Sequence, residues 1–415
     1  MRIAIDLQGI QSEGSKKRGI GRYSFEIINN LLNYHKNNEY ILVSNWTMQN
    51  VRHEFSHQLE NNKNISFLEW YSPTPLSFIS HKKVNRELAK LLRTYVYNCL
   101  HADIILVTSF LEGFADNCFT EFDFDSLETP VISIFYDLIP LLNPDLYLNL
   151  NPEFSKYYSN KLECIRNFDA LLAISQSSSE EARKHLHIDK TKIFNISSAC
   201  DKAIFNKSIN NDHNLKDFFS KVPNFLLYSG AGDPRKNLKN LLQAFSLLPE
   251  DYQNKYNLVL VGNLLQPEIN MINDLVKCLK IEQSNIHILG YVSDFDLVTL
   301  YRNCHLFVFP SLHEGFGLPV LEAMSCGAPV IGSATTSIPE IIQIDEAMFD
   351  PHDPYNIRDL IQKSIEDDDF LSFLQSNSLI QSEKFSWLST VNNFINVCAL
   401  LVKKNKKNIS VFNWQ

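Results

Sequence analysis

The chain has 415 residues, room for two or three domains at about 100–200 residues each, and its 45% hydrophobic and 20% charged content is that of an ordinary globular protein. A net charge of −9 argues against a nucleic-acid partner, because phosphate backbones call for a broad cationic surface. The eight cysteines (Cys99, Cys118, Cys164, Cys200, Cys278, Cys304, Cys326 and Cys398) contain no Cys-x-x-Cys pair, which gives structural zinc no support and suits a reducing compartment.

Met1–Asp6 opens directly as a strand and lacks the apolar core and cleavage site of a signal peptide. No run of about 18–20 apolar residues predicts a transmembrane helix, so the expected location is the cytoplasm. Strands are expected at Arg2–Leu7, Tyr40–Ser44, Asp103–Val107, Val131–Phe135, Ala170–Ile174 and Lys192–Ile196. Helices fall between them at Ile20–Tyr34, Lys83–Asn98, Glu153–Arg166 and Ser179–His185. The polar stretch Asp201–Val222, centred on Asn210–Asn214, reads as an inter-domain linker.

The alternation then restarts. Strands are expected at Phe225–Ser229, Leu258–Val261, His287–Leu289, Leu306–Phe309 and Val330–Ile331. The helices are Leu238–Leu247, Glu268–Leu279, Asp294–Tyr301 and Leu318–Met324, with a last one at Trp387–Val402 and a basic tail, Lys403–Lys407, expected to fray. Strand–helix alternation implies parallel sheets, hence two doubly wound α/β units facing a cleft, with ligands beyond the carboxyl ends of the strands.

Four strand-end loops carry candidate chemistry. Arg18-Gly19-Ile20-Gly21-Arg22-Tyr23 follows the first strand and is a glycine loop short of a full dinucleotide fingerprint. Asp137, after Val131–Phe135, is either a cleft carboxylate or a turn cap. Gly230-Ala231-Gly232-Asp233-Pro234-Arg235-Lys236-Asn237 sets two cations at an expected helix start, where the dipole disfavours them. A diphosphate beside Arg235 and Lys236 would relieve that conflict; the alternative is a solvated surface pair. Ser311–Met324 runs from a strand through Glu314-Gly315-Phe316-Gly317 into a helix that begins Leu318-Pro319. Its glycines let backbone amides approach a ligand, and Glu314 and Glu322 can accept sugar or ribose hydroxyls. His305 and His313 read as structural.

Together the Glu314–Glu322 segment, Arg235-Lys236-Asn237, Gly19–Tyr23, Tyr136-Asp137-Leu138-Ile139-Pro140 and Phe385-Ser386-Trp387 resemble the retaining glycosyltransferases of family 4, which have the GT-B fold. The last two pieces resemble the bacterial O-antigen and exopolysaccharide mannosyltransferases among them. The resemblance implies two Rossmann-like domains, 1–205 binding acceptor and 206–384 binding donor, with 385–415 a helix returning to the first. It implies transfer of a hexose, best read as mannose from GDP-mannose, to a glycan or lipid-linked acceptor in surface polysaccharide synthesis. Glu322 would hold the ribose, Glu314 the donor sugar and Lys236 the diphosphate, with Gly19, Gly21, Gly230, Arg235, Gly315, Phe316, Gly317 and Leu318 completing the donor site. Glu314, Asp137, Lys236 and Arg235 are the catalytic candidates, and neither a metal nor another cofactor is implied. Two positions depart from the family: Ala231 stands where many members have Arg, leaving Arg235 to substitute, and Tyr136 where many have His. The rival readings are a UDP-sugar-dependent enzyme of the same fold and a non-catalytic sugar-nucleotide-binding subunit of a glycan assembly complex.

One helix raises a further question. Val84, Leu88, Leu91, Leu92, Val96 and Leu100 recur at helical spacing behind the cations His81–Lys83 and Arg86. Either the apolar stripe faces the core and the basic face is solvated, or the basic face rests on an anionic inner-membrane surface.

Overall fold

The structure, a computed structural model, describes residues 1–16, 18–80, 82–208 and 215–412, with side chains through Lys404. The centre of the expected linker, 210–214, lies outside the described residues. The chain divides into two compact units: Met1–Ser198 together with the chain from Trp387 onward, and Ala199–Ser386.

The first unit is built on seven strands: β1 (Arg2–Asp6), β2 (Glu39–Asn45), β3 (Ile65–Trp70), β4 (Ile104–Val107), β5 (Val131–Phe135), β6 (Ala170–Ala173) and β7 (Ile193–Asn195). Every pairing is parallel, in the order β3-β2-β1-β4-β5-β6-β7. β4, β5 and β6 are buried at every position, as strands covered on both faces must be, so their sequences are plain apolar runs. The strand that the sequence reading missed, β3, is an edge strand buried only at Ile65 and Trp70. The last helix, Trp387–Phe412, packs on the helix Gly19–Tyr34, with the Trp387 ring 5.3 Å from that of Tyr23. It continues through the tail expected to fray.

The helix Lys83–Cys99 departs from the core-facing reading over most of its length: of the expected stripe only Val96 packs against the core, with Leu100 buried just past the helix end. Asn85, Ala89, Arg93, Thr94 and Tyr97 are buried, while Val84, Leu88, Leu91, Leu92 and Tyr95 are exposed. The cause is Asp6, the buried last residue of β1. A buried carboxylate needs partners, and this helix supplies two: Arg93 Nη1 lies 2.6 Å from Asp6 Oδ2, and the Tyr97 hydroxyl donates to the same oxygen at 3.0 Å. The Arg93 guanidinium stacks within 4.2 Å of the Phe122 ring centre. Arg86 also turns inward, to Glu121 at 2.5 Å and the Leu76 carbonyl at 2.6 Å.

The second unit holds β8 (Phe225–Ser229), β9 (Asn257–Val261), β10 (Ile286–Gly290), β11 (Leu306–Phe309), β12 (Val330–Ser333) and β13 (Met348–Phe349), all parallel, in the order β10-β9-β8-β11-β12-β13. Two helices that were not expected, Pro354–Glu366 and Asp368–Ser382, each begin on an aspartate cap, Asp353 and Asp367. Among the described residues one helical stretch, Asp368–Lys404, is long and apolar enough by composition to cross a membrane, where none was expected. It consists of two helices broken at 383–386.

Both sheets share one topological property. The strand order reverses between β1 and β4 in the first unit and between β8 and β11 in the second. Ligands of open α/β sheets settle beyond the carboxyl ends of the strands at such switch points.

Candidate functional site

At the second unit's switch point the chain leaves β8 at Gly230, whose amide donates to the Val261 carbonyl at 2.8 Å. Gly262, at φ +141°, lies so close that an added Cβ would stand 1.8 Å from the Gly230 oxygen, so the two loops meet backbone to backbone. The cations do not begin the following α-helix, as the sequence reading placed them. Pro234–Lys236 is a separate 3₁₀ turn, capped by Asp233, which accepts from the Arg235 amide at 3.0 Å. Asn237, in the left-handed region at φ 63°, then redirects the chain into the helix Leu238–Ser246. Its side-chain amide donates to the carbonyls of Pro310 and Pro351 at 2.9 and 2.7 Å, tying this loop to the one after β11.

That second loop leads from Phe309 to the helix Leu318–Ser325, with Gly317 at φ +111° just before it and Pro319 in its first turn. Ser337 Oγ donates to the carbonyls of Glu314 and Phe316, and the Glu314 amide donates to Thr336 Oγ1 at 3.1 Å. The loop shape is thereby set from a third strand end, that of β12.

The two loops bring the adjacent cations Arg235 and Lys236 onto Glu314, 78 residues beyond Lys236 in sequence. Lys236 Nζ stands 2.6 Å from Glu314 Oε1, and Arg235 Nη1 stands 2.9 Å from Glu314 Oε2 and donates to the His313 carbonyl at 2.9 Å. Ser311 Oγ donates to Glu314 Oε1 at 2.6 Å, and Lys236 lies 5.1 Å from the Phe309 ring centre. Burial alone would raise the Glu314 carboxyl, but Lys236 and then Arg235 outweigh it and hold it at about 2. Burial pulls the Lys236 ammonium down, with Glu314 opposing. Lys236 and Glu314 are both buried, so the reading of a solvated surface pair does not hold. Two cations share Glu314, and Arg235 Nε also lies 3.8 Å from Asp233 Oδ1, so an anion entering the switch point meets two cations already held by carboxylates and must compete with them.

Glu322 is buried one turn into the helix Leu318–Ser325. Burial, and after it the Glu322 charge, push the Tyr301 phenol well above its ordinary value. That hydroxyl meets the Oγ of Ser229, the last residue of β8, at 2.7 Å. Phe316 is buried with its ring 5.7 Å from that of Phe385.

The remaining sequence candidates belong to the first unit. Gly19 opens the helix Gly19–Tyr34 with open space where a Cβ would stand. Gly21 is fixed by packing: an added Cβ would lie 2.5 Å from the Ser15 carbonyl oxygen. Of the two alternatives for Asp137, the turn cap is present, since Oδ1 accepts from the Ile139 amide at 3.0 Å. The Tyr136 hydroxyl donates to the Thr108 carbonyl at 2.9 Å and meets Ser24 Oγ, which anchors it inside the unit. Thr336 and Ser337 lie outside the motifs singled out in the sequence, and Asn237 and Ser311 stand inside them without an assigned role. Their signal was polar residues immediately after apolar strands, at Ser311 after β11 and at Thr335-Thr336-Ser337 after β12. Among the described residues no group of three or more His, Cys, Asp or Glu is placed to hold a metal ion.

The glycosyl transferases group 1 family matches residues 211–381. Across most of its length the chain is similar to the serotype-specific mannosyltransferase WbdA of Escherichia coli, at 36% identity over 399 residues, 94% of this chain and 47% of that protein. A shorter part is 41% identical over 177 residues to the O-antigen chain mannosyltransferase B of Escherichia coli, 43% of this chain and 46% of that one. The chain thus spans about half the length of the curated relatives it matches. Among solved structures it resembles the sucrose-phosphate synthase of Thermosynechococcus elongatus, with a TM-score of 0.71 at 17% identity over 97% of this chain and 100% of that one. Anabaena HepE in complex with UDP and glucose aligns with a TM-score of 0.69 at 17% identity over 96% and 99%. The fold is GT-B.

Proposed function

We propose that this chain, which belongs to the group 1 glycosyltransferases through residues 211–381, transfers mannose from GDP-mannose to a glycan or lipid-linked acceptor in surface polysaccharide synthesis. The observation that carries the reading is the convergence of Arg235, Lys236 and Glu314 at the β8/β11 switch point, beside the helix that holds Glu322. A donor diphosphate draws Arg235 and Lys236 partly away from Glu314. The two cations then take up the charge that develops on the leaving diphosphate. Glu314, released on that side, faces the donor sugar, and Glu322 takes the ribose hydroxyls. The anomeric configuration is retained and no metal takes part. Mannose is favoured because WbdA and the second relative are both named mannosyltransferases. The acceptor reading puts the chain in peripheral contact with the cytoplasmic face of a membrane.

A thermal-shift screen of nucleotide sugars, followed by transfer assays with GDP-mannose and UDP-hexoses, tests this. GDP-mannose should raise the melting temperature and turn over. A UDP-sugar doing both while GDP-mannose does neither would overturn the donor. Binding without transfer to any glycan acceptor would favour a sugar-nucleotide-binding subunit.

A further inference from the structure

The apolar stripe of the helix Lys83–Cys99 lies open to solvent because its opposite face is engaged by Asp6 and Glu121. Val84, Leu88, Leu91 and Tyr95 follow one another at steps of four, three and four, which sets them in one line along the helix, with Leu92 beside it. Val84 is 59% exposed, Leu91 56% and Tyr95 68%. Ile79, exposed in the loop just before the helix, extends the patch past the helix end. Single exposed aliphatics need no explanation, but a contiguous row of five on one helix marks an interaction surface.

Charge selects the occupant. Lys82 and Lys83 are exposed at the same end as Val84 and Ile79, and Lys90 is half-buried along the helix. Glu87 is the only carboxylate in the helix, while Arg86 is spent on Glu121. Two exposed lysines at one end of an aliphatic row, on a chain of net charge −9, are matched to a surface that is anionic outside and apolar just beneath. We propose that the helix Lys83–Cys99 docks flat on an anionic lipid bilayer, sinking Val84, Leu88, Leu91, Leu92 and Tyr95 below the headgroups while Lys82 and Lys83 meet the lipid phosphates. The inference deepens the proposed transfer to a lipid-linked acceptor and names the surface that makes the contact. It differs from a purely electrostatic contact, because the aliphatic row carries part of the binding.

Flotation of the full chain with vesicles of phosphatidylcholine alone or mixed with phosphatidylglycerol tests it, with transfer to a soluble glycan acceptor measured on the same preparations. The wild type should float with the mixed vesicles and bind neutral ones about tenfold less; high salt should weaken binding without abolishing it. The combined Val84→Ser, Leu88→Ser and Leu91→Ser variant touches only exposed side chains, so its fold and its transfer to soluble acceptor should be unchanged. Its flotation should fall about tenfold. The Lys82→Glu, Lys83→Glu variant should also lose flotation, with its transfer intact. A wild type that ignores both vesicles, or a serine variant that floats like the wild type, overturns the proposal. So does a dimer in sedimentation velocity without lipid that the serine variant dissociates, since the stripe would then cover a second copy. A wild type that floats as expected but transfers to no acceptor would support this inference and overturn the proposed function.

Discussion

The two switch points are topologically alike and chemically opposed. In the second unit the loops after β8 and β11 meet through Arg235, Lys236 and Glu314, two cations on one carboxylate. In the first unit the loops after β1 and β4 meet through Ser12, Ser15, Ser109, Glu112 and Asp116: Ser12 Oγ donates to Asp116 at 2.7 Å and to Glu112 at 3.0 Å, and Ser109 Oγ donates to Glu112 at 3.0 Å. One end gathers two cations that a phosphate can engage, while at the other the carboxylates Glu112 and Asp116 predominate and Lys16 is held by Glu13. The first unit does possess a buried cation–carboxylate pair, Arg93 with Asp6, but it is sealed from solvent and serves to hold a helix to the sheet. Arg235, by contrast, stands beyond the strand ends with 19% of its side chain exposed, beside the buried Lys236. The fold supplies the place, and the side chains at the strand ends decide what can bind there.

This contrast can be broken most sharply at Arg93. Arg93→Ala strands the Asp6 carboxylate in the core, at a cost of about 3–5 kcal/mol. Every tryptophan among the described residues, Trp46, Trp70 and Trp387, lies in the first unit, so tryptophan fluorescence during denaturation reads that unit. The midpoint should fall steeply while the GDP-mannose thermal shift, read below the new midpoint, persists. A normal midpoint would remove the structural role assigned to the pair.

Lys236→Ala is the complementary change and the next in size. It leaves Glu314 held by Arg235 and Ser311, so the unit should stay folded. Loss of a preorganised charge facing the leaving group should lower transfer about 10²-fold, roughly 2.7 kcal/mol, mainly in kcat. Transfer at the wild-type rate would take Lys236 out of the site and reduce the trio to another structural pair like Arg93 and Asp6.

How much of this was legible follows from how far each contact reaches along the chain. β5, β8 and β11 fall where their apolar runs put them, because a fully covered strand is specified by its own residues. The edge strand β3 was missed because its middle is half-exposed and polar residues interrupt it. Arg235, Lys236, Glu314 and Glu322 could be singled out from strand–loop–helix context. That Glu314 clamps both cations could not, because the partners lie 78 residues apart. The helix Lys83–Cys99 was misread for the same reason. Its periodicity is real, but the partner that decides which face turns inward is Asp6, 87 residues away. Hydrophobic spacing predicts an inward face only when no buried charge competes for it.

The smallest effect concerns acid. The folded Glu314 carboxyl is held at about 2, below its ordinary 4.5, by Lys236 and Arg235 against the opposing push of burial. The unfolded chain therefore binds a proton on this group at a higher pH than the folded chain does. Its contribution to stability is complete above the unfolded value and is lost as pH falls from about 5 toward 2. Glu314→Gln cannot titrate, so between pH 5 and pH 3 the second unit should lose on the order of 2 kcal/mol less stability than the wild type does. Fluorescence is blind to this, since the unit contains no tryptophan. Hydrogen exchange at the amides of β8 and β11, compared at pH 5 and pH 3 after correction for intrinsic exchange, reads it directly. The wild type should lose protection there on acidification, and the variant should start lower and change less. Equal acid loss in both would mean that Glu314 is not ionised against Lys236 and Arg235, and the charge contrast between the two switch points would lose its basis.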